Sequence, residues 1–235
     1  MNMTQLELNR KLLDAITAEI IELTSIEELL KLGADPLGSS SENDPNEHIL
    51  SELFCEAAHN SELSEKMPKM VQLFIDYGMN IESKNIPDDG DNINPLWDLQ
   101  FNGDENGLKV LKILLDNGLD YKSAESLVEH IFTDMDMCDG CEIGDEWFLN
   151  STICSLKMIM CVASYPHIMD KSEYIRECIE IEKNDASNLI SFRSWNDYDY
   201  RIDISTCTNI PNGLQNATLT IKDKKTSKIM WSFLV

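Results

Sequence analysis

The sequence predicts a mainly α-helical solenoid of about four helix pairs, followed by a small antiparallel β segment. The first observation is a short ending that closes three apolar, helix-like stretches: two large apolar residues, two spacers, a glycine, an apolar residue, then Asp or Asn. It occupies Leu29–Asp35, Phe74–Asn80 and Leu114–Asp120. The second is a change to alternating apolar and polar residues over 186–235, which is typical of strands. A self-similar unit of this kind indicates stacked repeats.

The glycine of each ending marks where a helix stops. Gly33, Gly78 and Gly118 are expected in the left-handed conformation just beyond the helix. Only glycine adopts that conformation without a steric penalty. The three endings therefore predict the ends of three second helices.

The first helix pair is bounded by capping signals. Thr4 is the expected N-cap of a helix over 4–19, with leucines and isoleucine at helical spacing. Ser25 followed by Glu28 predicts a capping box that opens the short helix ending at Gly33.

The second pair is predicted over 48–59 and 68–77. Pro68 suits the first turn of its helix, where a missing N–H is not needed. The segments 38–47 and 80–93 are loops by composition, so they separate the second pair from its neighbours.

A third and a fourth pair follow. The third opens at Asn94–Trp97 and has its second helix over 108–117. The fourth begins at Ser123, with a second helix at about 149–163 in which Ala163 replaces the terminal glycine. A divergent last unit is expected because one side of a terminal repeat faces solvent.

The C-terminal part is expected to form a separate segment. A further helix is predicted over 171–183, and antiparallel strands follow it. The alternating stretches are Tyr198–Ile204, Ala217–Ile221 and Ile229–Phe233. We therefore divide the chain into a repeat domain, 1–170, and a C-terminal segment, 171–235. That segment is either a cap over the array, which exposed repeat ends require, or an appendage that binds a partner.

The chain is strongly acidic. Its 235 residues include 42 acidic and 19 basic ones, for a formal charge of −23. Nucleic acid and anionic membrane are bound through Lys and Arg, so both are excluded as partners. A basic protein partner remains, or an acidic surface that serves solubility alone. The sequence shows no signal peptide and no apolar segment of membrane-spanning length, and its seven cysteines are scattered. These features together predict a cytoplasmic protein with reduced thiols.

The three endings, together with the helix start at Asn94–Trp97, resemble the ankyrin repeat. That family's unit opens with a Thr-Pro-Leu-His-like turn and closes with Leu-Leu-x-x-Gly-Ala-Asp, and the resemblance covers about 1–165. Successive glycines lie 45 residues (33 to 78) and 40 residues (78 to 118) apart, against about 33 in the family. The units must therefore carry insertions, which coincide with the loops 38–47 and 80–93.

The resemblance implies protein recognition through a concave surface made of the turns and the first helix of each pair. In this chain the turns carry acidic tips, and Trp97 is a candidate interface anchor, with a core role as the alternative. The candidate partner-binding residues are Glu42, Asp44, Glu47, Asp88, Asp89, Asp91 and Trp97. An acidic groove would steer a basic partner and raise its association rate, whereas acidic loops are also simply tolerated by solvent.

Catalytic and metal-binding chemistry has little support. Residues 134–146 are rich in Asp and Glu, but no register fits the EF-hand pattern. Cys138 and Cys141 form a single Cys-x-x-C, and His130 would bring the set to three of the four ligands of structural zinc. No nucleophile, base and oxyanion site assemble, so we expect no enzyme and no cofactor. A metal-binding or redox role of the Cys138–Cys141 loop is the alternative.

We therefore expect a non-enzymatic scaffold that binds a basic protein through an acidic concave face. The compact size, acidic charge and insertion-bearing repeats are also similar to immunity proteins that mask basic toxins. An acidic surface would compete with nucleic acid for the same cationic site. A toxin is thus the sharper hypothesis for the partner.

Overall fold

The computed structural model of the protein is mainly helical. The chain forms two compact units, Met1–Ser123 and Ala124–Val235, which are described separately. All three predicted endings lie in the first unit. The described residues are 3–42, 48–81, 96–102, 105–136, 155, 157–184, 187–192, 200–206, 218–223 and 229–234.

Three pairs of helical elements make up the described part of the first unit. They are α1 (Gln5–Ile16) with α2 (Leu23–Lys31), α3 (Ile49–His59) with α4 (Ser61–Asp76), and a 3₁₀ helix (Trp97–Asn102) with α5 (Glu105–Asp116). The two members of each pair contact each other. First elements also contact the first elements of neighbouring pairs, and second elements contact second elements. The pairs are therefore stacked side by side in chain order.

The second helices end as the sequence predicts. Gly33, Gly78 and Gly118 have φ of 97°, 97° and 96°, which confirms their left-handed conformation. In each case the N–H of the next residue bonds to the carbonyl five residues earlier, which is the Schellman arrangement. These bonds are Ala34 to Leu29 at 3.0 Å, Met79 to Phe74 at 2.8 Å and Leu119 to Leu114 at 3.0 Å. One local geometry thus closes all three pairs.

The core of the first unit lies within and between the pairs. Burying a large apolar side chain contributes roughly 1.5–3 kcal/mol, and short helices depend on such packing for their stability. The array is therefore stabilised mainly by contacts between neighbouring elements. Among the described residues, the largest fully buried side chains are Phe54, Phe74, Leu12, Ile16, Ile26, Ile49, Leu50, Leu53, Leu63, Met67, Met70 and Leu96.

The predicted N-cap of α1 is confirmed. The Glu7 N–H donates to Thr4 Oγ1 at 3.2 Å, and the Thr4 N–H donates to the Glu7 carboxylate at 2.7 Å, forming a capping box. The bond from the Thr4 backbone lowers the pKa of the Glu7 carboxyl below its ordinary value of 4.5. The helix ends at Ile16, earlier than the predicted 4–19.

The capping box predicted at Ser25 and Glu28 is wrong. α2 begins at Leu23, after Glu22, and no side chain caps it. Ser25 Oγ instead donates to Glu22 Oε2 at 3.3 Å. Leu23 and Ile26 are three residues apart and so share a helix face. Since Ile26 is fully buried, packing of this face extends the helix towards its N-terminus.

The predicted role of Pro68 in a first turn is also wrong. α4 begins at Ser61, seven residues earlier, so Pro68 lies inside the helix. Asn60 caps that start, because its side chain accepts the Leu63 N–H at 3.1 Å. A proline inside a helix removes one backbone hydrogen bond. Leu63 and Met67, which both precede Pro68, are buried, and their burial stabilises the longer helix nonetheless.

The second unit opens with helices. α6 (Tyr121–Asp136) starts just before it, two residues ahead of the predicted Ser123. The Asp120 carboxylate caps α6 by accepting the N–H groups of Lys122 at 2.8 Å and Ser123 at 3.3 Å. α7 is described over 157–163, and the start predicted for it at 149 lies outside the described residues. α8 (Pro166–Met169) and α9 (Glu173–Cys178) follow.

The helix predicted over 171–183 is wrong in its second half. α9 is capped by Ser172, whose Oγ accepts the Ile175 N–H at 3.0 Å, but it ends at Cys178. Residues Ile179–Asn184 form strand β1. Their alternating isoleucine and glutamate pattern suits a strand, and pairing with the next strand satisfies their backbone groups.

The strands pair in chain order as one antiparallel sheet. After β1 they are β2 (Ser187–Phe192), β3 (Tyr200–Thr206), β4 (Thr218–Asp223) and β5 (Ile229–Leu234). Ile190 pairs with Ile181 on one side and with Ile204 on the other. Ile204 pairs in turn with Leu219, which pairs with Phe233. The register thus aligns apolar residues across all five strands.

Candidate protein-binding face

The side of α3 that faces away from the core carries two glutamates. Its opposite side is buried through Ile49, Leu50, Leu53, Phe54 and Ala57. Glu52 is partly exposed and Glu56 is exposed, one helical turn apart. Ser51 and Cys55, also one turn apart, lie half-buried beside them. The apolar spacing of α3 thus places two carboxylates, a hydroxyl and a thiol outside the core.

A third carboxylate reaches this surface from the next helix pair. Asp98, on the 3₁₀ helix, accepts a hydrogen bond from Ser51 Oγ through Oδ2. The same carboxylate also bonds to the Cys55 thiol. Ser51 and Cys55 are four residues apart on α3, so Asp98 lies over one turn of that helix. We define the acidic face as Glu52, Glu56 and Asp98.

The three carboxylates of the acidic face all affect the pKa of the Cys55 thiol. The pKa of Cys55 is raised to about 12. Burial has the largest effect, Asp98 the next largest, and Glu52 and Glu56 add to it. Each carboxylate disfavours the thiolate because like charges repel. The three carboxylates therefore act on one point, and the face has a concentrated negative potential.

This electrostatic setting disfavours nucleophilic chemistry at Cys55. The thiolate is the reactive form of cysteine, and a pKa of about 12 leaves Cys55 protonated near neutral pH. Ser51 donates a hydrogen bond to the Asp98 carboxylate, and among the described contacts none joins Ser51 to a histidine. The cluster consequently suits the recognition of positive charge rather than nucleophilic catalysis.

The residues predicted to bind a partner are only partly described. Glu42 is exposed in the turn that precedes α3, and Trp97 is half-buried at the start of the 3₁₀ helix, next to Asp98. These two residues lie on different elements. The other five predicted residues, Asp44, Glu47, Asp88, Asp89 and Asp91, lie outside the described residues. Their role stays a prediction.

Glu52, Glu56 and Asp98 are not among the residues that the sequence predicts to bind a partner. A signal for the two glutamates was present, since they are four residues apart on the polar side of a helix whose apolar positions were recognised. Asp98 had no local signal. It joins the face only because the 3₁₀ helix packs against α3, bringing together residues 47 positions apart.

The metal-binding alternative gains no support from the described part of the chain. No group of three or more His, Cys, Asp or Glu side chains there is arranged to hold a metal ion. Cys138 and Cys141 lie outside the described residues, and His130 is half-buried on α6. The loop that would form such a site thus stays a prediction.

Comparison with known proteins adds no family assignment. No protein-family model, no curated protein and no solved structure matches this chain. Among the described helices, none combines the length and apolar character needed to cross a membrane.

Proposed function

We propose that this protein is a non-enzymatic, ankyrin-like scaffold that binds a basic protein partner through the acidic face. The stacking of three pairs with one repeated ending supports the scaffold part of the proposal. A β-rich C-terminal segment, serving either as a cap or as an appendage that binds a partner, belongs to the same proposal. Arrays of this kind present the first elements of their pairs as one continuous surface, and the acidic face lies on two such elements.

The observation that carries the proposal is that Glu52 and Glu56 lie outside the core on α3, while Asp98 from the next pair is hydrogen-bonded to Ser51 of the same helix. A Lys or Arg side chain bound at this surface would be attracted by these carboxylates, and charge-assisted bonds are the stronger ones. The formal charge of −23 would add long-range attraction for a basic partner. We expect the attraction to act mainly on the association rate and to weaken as salt rises.

The sharper form of the proposal is an immunity protein in the cytoplasm that neutralises a toxin. A toxin that acts on nucleic acid needs a cationic surface to hold phosphates. An acidic face placed over that surface would exclude the nucleic acid. This form predicts that the partner is a basic, nucleic-acid-directed protein and that binding abolishes its activity.

Affinity capture from the native lysate tests the class of partner. The tagged protein is incubated with lysate at low and at moderate salt, and the retained proteins are identified by mass spectrometry. Retention of one basic protein that is lost progressively with salt supports the proposal. Retention of only acidic or neutral proteins, or retention that salt does not change, would contradict it.

Charge reversal tests the face itself. We expect the double variant Glu52→Lys/Glu56→Lys to slow association with the captured partner by about tenfold or more, because it reverses the local potential. The matched control is Glu28→Lys/Glu65→Lys, at exposed positions on the second helices α2 and α4. Both variants change the net charge equally, so equal slowing would show that total charge, not the acidic face, steers the partner.

A further inference from the structure

One buried polar side chain joins the first helix pair to the turn that follows it. Asn9, on α1, is only 2% exposed. Its Oδ1 accepts the Asp35 backbone N–H at 2.9 Å, and its Nδ2 donates to the Ser39 carbonyl at 3.0 Å. Both ends of the amide are thus bonded to backbone groups of a segment about thirty residues away in sequence.

The same turn holds the start of α3. Helix α3 has no side-chain cap, so its first N–H groups need other acceptors. The Leu50 N–H donates to the Pro36 carbonyl at 3.0 Å, and the Ile49 N–H to the Gly38 carbonyl at 3.4 Å. His48 Nδ1 lies 2.8 Å from the carbonyl oxygen of Leu37. The carbonyls of the turn therefore serve as the cap of α3.

The turn fits closely around Asn9. A Cβ added at Gly38 would overlap Asn9 Nδ2, so even a methyl group at this position requires the amide or the turn to move. Asp35, the charged residue of the turn, directs its carboxylate to the Leu37 N–H at 3.0 Å. The bonds of Asn9 and those of α3 are therefore made by one compact stretch of backbone.

We infer that Asn9 is a positioning residue for the acidic face. It fixes the turn over 35–39, the turn fixes the first residues of α3, and α3 carries Glu52 and Glu56. The consequence for partner binding rests on the proposed function. The coupling of Asn9 to α3 does not need a partner, so it is tested on the free protein and stands or fails separately.

Amide hydrogen exchange of the full chain, followed by NMR, tests the coupling. In Asn9→Leu we expect the protection of the Leu50 amide to fall by about tenfold, because two backbone groups of the turn lose buried partners. The Phe74 amide, on a fully buried residue of α4, serves as the reference for global unfolding, and its protection should fall much less. The matched control is Gln5→Ala, which removes another side-chain amide of α1. Gln5 Nε2 donates to Asn9 Oδ1 at 2.9 Å and to the Gly33 carbonyl at 2.8 Å, but it makes no bond to the turn over 35–39.

The variant Asn9→Asp separates hydrogen bonding from space filling. The ionised carboxylate accepts the Asp35 N–H but cannot donate to the Ser39 carbonyl. Protonation restores a donor, and burial raises the pKa of such a carboxyl. We therefore expect Leu50 protection in Asn9→Asp to be low near neutral pH and to recover as the pH falls, relative to the wild type at each pH.

Two results would overturn the inference. One is Leu50 protection that falls only in proportion to Phe74 protection, which would make Asn9 a global stabilising residue. The other is Asn9→Asp protection that keeps the pH dependence of the wild type, which would mean that the bond to Ser39 does not hold the turn. A selective fall in Asn9→Leu together with recovery in Asn9→Asp supports it.

Discussion

Replacing Gly78 with alanine isolates the contribution of backbone conformation to the repeated ending. Gly78 has a φ of 97°, and a Cβ built at this position would meet no heavy atom within 4 Å. Crowding therefore adds nothing to the effect of the substitution. The whole loss of stability must come from holding an alanine in a left-handed conformation.

The magnitude follows from two opposing contributions. The left-handed conformation destabilises an L-residue by roughly 1–2 kcal/mol. Alanine also restricts the unfolded chain, which offsets the loss by about 0.4–1 kcal/mol. We expect Gly78→Ala to lower the free energy of unfolding by about 1 kcal/mol. Gly33 and Gly118 share its φ and its open surroundings, so their alanine variants should lose similar amounts.

Urea unfolding followed by far-ultraviolet circular dichroism measures these free energies. Gly78→Asn is the matched control, because asparagine is larger than alanine but enters the left-handed region more readily. The expected order of stability is Gly78, then Asn, then Ala. An asparagine variant less stable than the alanine one would refute the reasoning, since it would show that space rather than φ limits the position.

Two further substitutions probe contacts between helical elements. Gly107→Ala places a Cβ on the Asn102 carbonyl, so we expect the free energy of unfolding in urea to fall by about 2–3 kcal/mol. A loss no larger than that of Gly78→Ala would show that α5 can move away from Asn102. Asp98→Asn should speed alkylation of Cys55 at mildly alkaline pH, measured by peptide mass mapping. Removing that charge lowers a thiol pKa that is now about 12. An unchanged rate would show that Asp98 does not contribute to the shift.

The helix ends were predictable because they depend on short-range geometry. Each ending closes within six residues, from the carbonyl of Leu29 to the N–H of Ala34 in the first case. A glycine after an apolar helical stretch is enough to specify that arrangement. The Thr4 cap of α1 was predictable for the same reason, since its partner Glu7 is three residues away.

The helix starts that failed did so because packing outweighs local signals. Pro68 and Ser25 are both favourable at helix starts, so local rules predict that their helices begin there. In the structure both lie after the start, because Leu63 and Ile26 are buried against other elements. Such burial contributes more free energy than a cap or a proline preference. No local rule indicates which neighbouring element will provide the burial.

The candidate site shows the same limit. The sequence predicts a binding surface at loops dense in acidic residues, such as the one that contains Glu42, because such density can be counted along the chain. The acidic face instead depends on Asp98, which meets Ser51 across 47 residues of sequence and also bonds to Cys55. Helical periodicity shows that Ser51 and Cys55 share a side of α3 but not which residue comes to lie over them.

By itself the sequence determined the helical pairs, their glycine endings and the acidic charge, since these follow from composition and from contacts a few residues apart. Only the tertiary structure decided which polar groups meet. It placed Asn9 against the Ser39 carbonyl and Asp98 against α3. The physical reason is that the position of one helix pair against the next is set by the shape of many buried side chains together, and no single stretch of sequence contains that information.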